Sequence, residues 1–404
     1  MAGIGGIQTL LLRSVKWMAA HGHSCVLLTA RERPGADERN PLLDQVSEHA
    51  TVIRADHRYI AAGWTLRRLR LPPVDVIVAC NLTSLLLAAV VQEMHAPLAR
   101  LMASAYHSHE YCWKSERTRF DQRLVRALIE QIPVQNLLFS NDSFARLTGE
   151  CAGRDLRQSP VAPLAIDTAR YERVIRHSDG RSIVSVARLA DYYTHHWHMI
   201  DAVATLRDRG VVLEYHVYGD GVEADALRRY VNDRAASDLV VFHGALAYEQ
   251  FGETLSTAYA FIGGGTALAE AAACGVPSLV TIGAVPTGHC YGWLHETPGN
   301  GLGAPEPDSL QFSIVDQLEA LTKITIAEYT AMENASRVRA RDFSMDVIMP
   351  TFVRALENSR PFRFPIGVLA QLHGGLDRVL WRLRVLAGSE DPYASRYVQA
   401  LRAR

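Results

Sequence analysis

Residues 263–277 read GGGTALAEAAACGVP, and they join two apolar runs of the chain. The preceding run, Ala258–Ile262, and the following run, Ser278–Ile282, predict strands, while Leu268–Ala273 predicts a helix. Three glycines therefore lead from a strand into a helix, which is the connection of a βα unit in a parallel sheet. Backbone amides without side chains at the positive end of a helix suit the oxygens of a phosphate.

The same alternation of short apolar runs and amphipathic segments extends along the chain and predicts an α/β fold. Residues 160–180 interrupt the alternation with two prolines and a polar run, so we predict a hinge there between two domains. The strands predicted before the hinge are Ser24–Ala30, Ala50–Ala55, Val74–Cys80, Arg100–Ala105 and Leu137–Ser140. The further strands predicted after it are Ser182–Val186, Leu213–Tyr218 and Leu239–His243.

The first residues depart from the usual order of a doubly wound domain, which begins with a central strand. Here Gly5 and Gly6 come at once, and residues 7–20 predict a helix, so the first strand of this domain is expected to be missing. A missing central strand would leave two unpaired sheet edges. The glycines do not form a dinucleotide fingerprint, because its third glycine would fall on Gln8. A phosphate loop and a simple tight turn both remain open for them.

Polar residues follow the strands predicted in the second half of the chain. Arg188 comes just after Ser182–Val186, at the carboxyl edge where open α/β sheets bind their ligands. A guanidinium at that edge can hold a diphosphate through paired hydrogen bonds. Glu270 lies one turn into the helix after the glycines, where its carboxylate can accept hydrogen bonds from a ribose diol. Alone, each segment is more often an ordinary loop, but their order and spacing together favour a ligand site.

The composition excludes several classes of protein. Hydrophobic residues make up 48% and charged residues 21%, which is typical of a globular chain, and the net charge of −1 argues against a nucleic-acid partner. The six cysteines contain no CxxC pair, so they predict neither a disulfide framework nor a zinc site and fit a reducing cytosol. The most apolar stretch, Val76–Val91, is shorter than the ~20 residues that cross a bilayer. We therefore expect a cytoplasmic protein.

Taken in order, these segments resemble the retaining glycosyltransferases of the GT-B fold, in the glycosyl transferases group 1 family (glycosyltransferase family 4 type). The resemblance covers most of the chain and implies two Rossmann-like domains that face each other across a cleft. Residues 1–168 would form the acceptor-side domain, and residues 178–344 the domain that binds a nucleotide sugar. Residues 345–404 would form C-terminal helices that partly return to the first domain.

The resemblance also implies roles for donor-side residues. Arg188 matches the arginine that holds the donor diphosphate in this family. Glu270 matches the second glutamate of the family's E-x7-E element and would bind ribose. Gly264, Gly265 and Thr266 would present their backbone amides to the phosphates.

On the acceptor side, Gly5 and Gly6 match the glycine loop of the family. His107 follows a predicted strand at the place where the family has an active-site histidine near the transferred sugar. His109 is the rival candidate for that role, and two ordinary polar loop residues remain the alternative.

Two positions differ from the family's pattern. Tyr193 stands nearest the place of a lysine that follows the arginine, and Ile262 stands where spacing puts the first glutamate of E-x7-E. Removing a cation beside a developing diphosphate costs on the order of a few kcal/mol of barrier, or roughly 10²–10³ in rate. A protonated histidine among His195, His196 and His198 would compensate for that loss.

The resemblance implies transfer of a sugar from a nucleoside diphosphate to a hydroxyl acceptor with retention, in surface polysaccharide or glycolipid synthesis. The acceptor would be a carbohydrate or lipid-linked, and no cofactor is expected. Since no suitable loop carries an Asp-x-Asp element, no metal is expected either. The alternatives are a catalytically impaired scaffold or partner of GT-B fold, and a nucleotide-sugar 2-epimerase. Arg378, Arg382 and Arg384 in the last predicted helix leave open a solvated face or a peripheral contact with the inner face of the membrane.

Overall fold

A computed structural model describes residues 6–31, 41–56, 70–106, 120–190, 192–283, 285–306 and 309–365. The chain divides into two compact units. The first contains the described residues up to Pro163 and those from Met349 onward, and the second contains Leu164–Ile348.

The first unit contains two small parallel sheets. Strand β1 pairs with β2, and β3, β4 and β5 form a separate three-stranded sheet with β4 in the middle. The strands of this unit are β1 (Val26–Arg31), β2 (Thr51–Asp56), β3 (Val76–Ala79), β4 (Arg100–Ala105) and β5 (Leu137–Phe139). Its helices up to Ala152 are α1 (Gly6–Ala20), α2 (Pro41–Ser47), α3 (Leu82–His95), α4 (Phe120–Gln131) and α5 (Asp142–Ala152).

In the part of the chain that the structure describes, no strand precedes α1 and none joins the two sheets. The common doubly wound order puts the first strand between the second strand and the fourth. Counted this way, the break between β1 and β3 lies at the position of that first strand. The free edge of β1 and the free edge of β3 on either side of this break are the two sheet edges that the sequence analysis expected to be unpaired.

Local sequence sets the ends of the helices in this unit. Asn81 caps α3, because its side chain accepts a hydrogen bond from the amide of Ser84 at 2.9 Å. Asn141 caps α5 in the same way, through the amide of Phe144 at 2.9 Å. Gly153 ends α5 with φ of 64°, a conformation that glycine adopts without a steric cost. Polar caps after short buried strands thus start the helices of the βα units.

The second unit is built on one seven-stranded sheet in the order β12-β11-β10-β9-β6-β7-β8. The strands β6 to β10 are parallel, and β11 and β12 add an antiparallel edge. The strands are β6 (Ser182–Val186), β7 (Glu214–Tyr218), β8 (Val240–Gly244), β9 (Ala260–Gly263), β10 (Ser278–Thr281), β11 (His289–Trp293) and β12 (Phe312–Ser313). The helices are α6 (His195–Asp208), α7 (Ala224–Asp233), α8 (Phe251–Ser256), α9 (Gly265–Ala273), α10 (Ile314–Leu321), α11 (Ile326–Ala340) and α12 (Met345–Asn358), the last of which contains the boundary between the units.

Apolar cores lie on both faces of this sheet. Successive strand residues point to opposite faces, so Ile183 packs into one buried cluster with Met199 of α6, while Val184 packs into another with Leu268 of α9. Because both faces are covered, the central strands read as continuous apolar runs in the sequence. The alternating pattern therefore gave the α/β fold correctly, although β11 and β12 were not predicted.

One buried arginine ties the start of the second unit to its C-terminal helices. The Arg176 side chain is 8% exposed and pairs with Glu333 of α11, with 3.0 Å between Nε and Oε1. It also donates hydrogen bonds to the carbonyl oxygens of Leu255, Ser256 and Ala258. A charge buried this far from water depends on all of these partners.

We expect Arg176→Ala to lower the free energy of unfolding by about 3 kcal/mol, because it leaves the Glu333 carboxylate and several carbonyls without their donor. The measurement is urea unfolding followed by circular dichroism. The matched control is Arg181→Ala, which removes an exposed ion pair with Glu214 and is expected to cost less than about 1 kcal/mol. Equal losses in the two variants would contradict this assignment.

Candidate functional site

The strand order indicates a candidate ligand site at one edge of the second sheet. Read outward from β6, the parallel strands follow the order β8-β7-β6-β9-β10, which is the doubly wound order 3-2-1-4-5. Connections leave β6 and β9 in opposite directions, so a crevice opens outside their carboxyl ends. Arg188 follows β6 and Gly264 follows β9. The structure therefore brings the two predicted phosphate-binding segments to the same switch point.

The loop that carries Arg188 is held by the neighbouring loop after β7. The amide of Ala187 donates to the carbonyl of Tyr218 at 3.0 Å, and the amide of Leu189 donates to the carbonyl of Asp220 at 3.0 Å. Both residues beside Arg188 are therefore tied down, while the Arg188 side chain itself is exposed. A cation presented on a fixed backbone needs little ordering when an anion binds.

Gly219 permits this close contact between the two loops. It has φ of 152°, and a Cβ placed on it would lie 1.8 Å from the carbonyl oxygen of Ala187. A Cβ on Gly221 would lie 2.1 Å from the carbonyl oxygen of Leu189. No side chain can fit at either position without separating the loops.

Helix α9 begins at the second predicted phosphate segment. Gly264 is its N-cap and offers no side chain to the first amides of the helix, and Gly265 has φ of 65°. The amide of Gly265 donates to the carbonyl oxygen of Leu302 at 2.8 Å. One of the three amides predicted to bind phosphate, at Gly264, Gly265 and Thr266, thus has a partner inside the protein.

Two further glycines, which the sequence analysis did not single out, complete this region. The amide of Gly283 donates to the carbonyl of Gly303 at 2.8 Å, and a Cβ on Gly303 would lie 2.7 Å from the carbonyl oxygen of Thr281. A Cβ on Gly283 would lie 2.7 Å from the hydroxyl of Tyr192. The signal in the sequence was the glycine-rich run PGNGLG at 298–303. Backbone therefore packs on backbone from three loops around the start of α9.

Glu270 lies on α9 with its side chain turned inward, and the residue is 4% exposed. Its Oε1 accepts a hydrogen bond from the hydroxyl of Tyr248 at 3.1 Å. Burial raises the pKa of Tyr171, and the nearby Glu270 charge raises it further. Burial, then Glu270, raises the pKa of the Cys274 thiol to about 12, so these neighbours stay protonated at neutral pH.

Ile262 does not lie at the edge where the sequence spacing put the first glutamate of the family's element. It is inside β9, opposite Leu279 of β10, and it is fully buried in an apolar cluster. Strand β9 ends at Gly263 and α9 begins at Gly265, so a single residue connects them. The seven-residue spacing from Glu270 therefore reaches a buried position inside the strand rather than the turn that follows it.

Tyr193, which stands nearest the lysine position of the family, is half-buried beside the Arg188 loop. Its amide donates to the carbonyl of Ala190 at 2.9 Å, and its ring contacts Tyr192 edge-on. Burial raises the pKa of Tyr193, and the positive charge of Arg188 opposes this shift. The phenol is therefore neutral at neutral pH and can act as a hydrogen-bond donor but not as a cation.

The three histidines that follow cannot replace the missing cation. His195 contacts the hydroxyl of Ser185 at 3.1 Å, and His196 contacts the hydroxyl of Tyr215 at 2.7 Å. Burial lowers the pKa of His195 well below its usual value and that of His196 to about 3. Burial also lowers the pKa of His198. The expectation of a protonated histidine here was wrong, because both His195 and His196 are shielded from water and contact hydroxyls rather than carboxylates.

Few of the residues that the sequence analysis assigned to the acceptor side lie within the described ranges. Gly6 is the first residue of α1, whereas Gly5, His107 and His109 lie outside the described residues. Within the described ranges, no three His, Cys, Asp or Glu side chains are arranged to hold a metal ion. Among those same residues, no helix has the length and apolar character needed to cross a membrane.

Comparison with known families fits this geometry. Residues 168–286 match the family model described as Glycosyl transferases group 1. The matched segment runs from β6 to β10 and includes Arg188, the glycine-opened start of α9 and Glu270. The match supports the group 1 glycosyltransferase family. No curated protein sequence matches the chain significantly.

Solved structures show the fold over most of the chain. A glycosyltransferase from Rickettsia africae ESF-5 aligns with 88% of this chain and 96% of its own, with a TM-score of 0.64 and 10% identity. HepE from Anabaena, solved with UDP and glucose, aligns with 87% and 96%, with a TM-score of 0.62 and 16% identity. The lipopolysaccharide outer core galactosyltransferase WaaB aligns with 88% and 97%, with a TM-score of 0.57 and 11% identity. These likenesses confirm the GT-B fold with two Rossmann-like domains.

The buried histidines make stability depend on pH. Since folding lowers the pKa of His195 and His196, the unfolded chain binds more protons below its own value of about 6.5, and stability is lost as the pH falls from there. At pH 5 the expected loss from His196 is about 2 kcal/mol relative to pH 7.5. Urea unfolding across this range measures it.

The variant His196→Phe tests this origin of the pH dependence. It removes one buried imidazole, so its stability should fall less between pH 7.5 and 5 than that of the wild type. The control is His177→Phe at an exposed position, which should keep the wild-type slope. A wild-type slope in His196→Phe would show that this residue titrates normally in the folded protein.

Proposed function

We propose that this chain is a glycosyltransferase that moves a sugar from a nucleoside-diphosphate sugar to a hydroxyl acceptor with retention at the anomeric carbon. The observation that carries the proposal is the convergence of Arg188 and the start of α9 at the switch point of a sheet that matches the group 1 family. A guanidinium and a helix N-terminus facing one crevice suit a diphosphate with two negative groups. Glu270 adds an acceptor for ribose hydroxyls on the same helix.

In this mechanism the second unit binds the donor and stabilises the leaving diphosphate. Arg188 neutralises the charge that develops as the bond between sugar and phosphate breaks, and the backbone amides at residues 264–266 share it. Because the Gly265 amide is bonded to Leu302, we assign the amides of Gly264 and Thr266 the larger part. Tyr193 contributes a neutral hydrogen bond in place of the lysine. Gly5, Gly6 and His107 keep their proposed acceptor-side roles.

The family match and the structural neighbours favour a transferase over the two alternatives, an inactive GT-B scaffold and a nucleotide-sugar 2-epimerase. Part of the argument for a scaffold was the loss of a carboxylate at Ile262. Ile262 lies in the core of the sheet, so this position supplies no carboxylate to the site. Tyr193 and Ile262 therefore both remain departures from the family's pattern.

The proposed donor and acceptor are based on what two structural neighbours are named for. HepE was solved with UDP and glucose, and WaaB is named as a lipopolysaccharide galactosyltransferase. We propose by analogy a hexose donor carried by a nucleoside diphosphate, with uridine as the first base to test. The acceptor is a carbohydrate or a lipid-linked glycan of surface polysaccharide or glycolipid synthesis, met in the cytoplasm or at the inner face of the membrane.

A panel of nucleotides tests the donor site. At 100 times its dissociation constant a ligand stabilises the folded state by about 2.7 kcal/mol, which raises the melting temperature by several degrees. We expect this rise with UDP or GDP and a smaller one with the nucleoside monophosphate, which offers one phosphate to Arg188 and α9. Calorimetric titration provides the dissociation constants. An unchanged melting temperature with every nucleotide would rule out the proposed donor site.

The role of Arg188 is tested by Arg188→Ala. Loss of one charged donor to the leaving group should slow the transfer by about 10²–10³, seen as the initial rate of nucleoside diphosphate release from the donor that the panel identifies. The matched control is Arg181→Ala, since Arg181 precedes the amino end of β6 while Arg188 follows the carboxyl end. A rate within a few-fold of wild type for Arg188→Ala would remove this residue from the mechanism.

A further inference from the structure

Tyr248 connects the site to a part of the second unit that the proposed function does not use. It begins a 3₁₀ turn after β8, and its hydroxyl donates to Oε1 of the buried Glu270 at 3.1 Å. A carboxyl group buried from water requires hydrogen-bond partners. Two of its other neighbours, the Tyr171 phenol and the Cys274 thiol, stay protonated and bring no positive charge. The hydrogen bond from the Tyr248 hydroxyl therefore orients this carboxylate directly.

Arg170 in turn holds Tyr248 through two contacts. Its guanidinium carbon lies 4.2 Å from the centre of the Tyr248 ring, and its Nη2 donates to the Tyr248 carbonyl at 3.2 Å. A cation over the ring is attracted to its π face, which helps to hold the ring in place. One contact fixes the ring and the other fixes the backbone. The order Arg170, Tyr248, Glu270 therefore forms a relay that ends at the carboxylate.

The relay meets a geometric requirement of the proposed ribose contact. A carboxylate has about four acceptor positions, and a ribose 2′,3′-diol donates two hydrogen bonds with a fixed spacing. A side chain free to rotate would lose affinity when it is ordered, whereas one already held by Tyr248 would not. Selection then depends on the 2′-hydroxyl, because a site built to bond a hydroxyl strongly rejects the analogue without it.

We propose that Tyr248 is a positioning residue that aims the Glu270 carboxylate at the ribose diol of the nucleoside diphosphate, so that the site selects ribonucleotides over 2′-deoxyribonucleotides. The inference rests on the proposed function, because it requires a nucleotide at this edge of the sheet. It adds the class of nucleotide that is accepted and the group that enforces the choice. Arg170 acts through Tyr248 and has no contact with the nucleotide.

The test is calorimetric titration of the full chain with UDP and 2′-deoxy-UDP, and with GDP and 2′-deoxy-GDP. The wild type should bind one ribonucleotide at least tenfold more tightly than its 2′-deoxy form. Tyr248→Phe should lose most of that preference while its affinity for the 2′-deoxy form changes less than threefold. Glu270→Gln should also lose the preference, and adding Tyr248→Phe to it should have no further effect.

The matched control is Tyr230→Phe. The Tyr230 hydroxyl also donates to a carboxylate, Oδ1 of Asp201 at 2.8 Å, but this pair joins α6 and α7 on the opposite face of the sheet. This variant should keep the wild-type preference. Arg170→Gln tests the same relay with Tyr248 intact, and it should reduce the preference by a smaller factor.

The outcomes separate this inference from the proposed function. If the wild type binds neither nucleotide pair, the donor site itself is refuted, and the relay with it. If the wild type prefers ribonucleotides and both Tyr248→Phe and Arg170→Gln retain that preference, only the relay is refuted. If Tyr248→Phe weakens both forms equally, Tyr248 supports the fold of the site rather than the choice of sugar, and the inference is overturned.

Discussion

Close packing of backbone on backbone at the carboxyl edge of the second sheet is the constraint on which the site depends. Gly219 lets the loop after β7 touch the loop after β6, and Gly303 lets a third loop touch the end of β10. Because hydrogen bonds fix the residues beside Arg188, the cation and the start of α9 are presented by rigid segments. Binding a diphosphate there requires little loss of conformational freedom. The proposed function follows from this arrangement more than from any single side chain.

The positive side-chain charge proposed to act at this edge belongs to an exposed residue, whereas the buried histidines that follow it in the sequence are polar but neutral. His195 and His196 begin α6 and contact hydroxyl groups, and burial keeps both uncharged. A positive charge on either buried histidine would have to be desolvated, at a cost that contacts with hydroxyl groups do not offset. Because Arg188 is exposed, its charge remains solvated. The helix terminus adds partial positive charge without any ionisable group.

Much of the second unit could be predicted from the sequence, because its sheet is covered on both faces and its strands therefore appear as continuous apolar runs. Ser182–Val186 has the predicted bounds, Arg188 follows that strand as predicted, and Glu270 lies within the helix predicted after the glycines. The roles given to these two residues remain predictions. Spacing puts the first glutamate of the family's element on Ile262, but it could not show that Ile262 lies inside β9 rather than in the turn after it. The protonation of the histidines also depended on burial, which comes from contacts distant in sequence.

The one-residue connection between β9 and α9 limits which atoms can contact a ligand at this point of the sheet edge. Gly264 has no side chain, and the residues on either side of it are committed to the strand and the helix. In the proposed function, this turn would contact a nucleotide donor through backbone atoms alone, and the phosphates that those atoms face are common to all such donors. The choice among hexoses would then depend on side chains outside this turn.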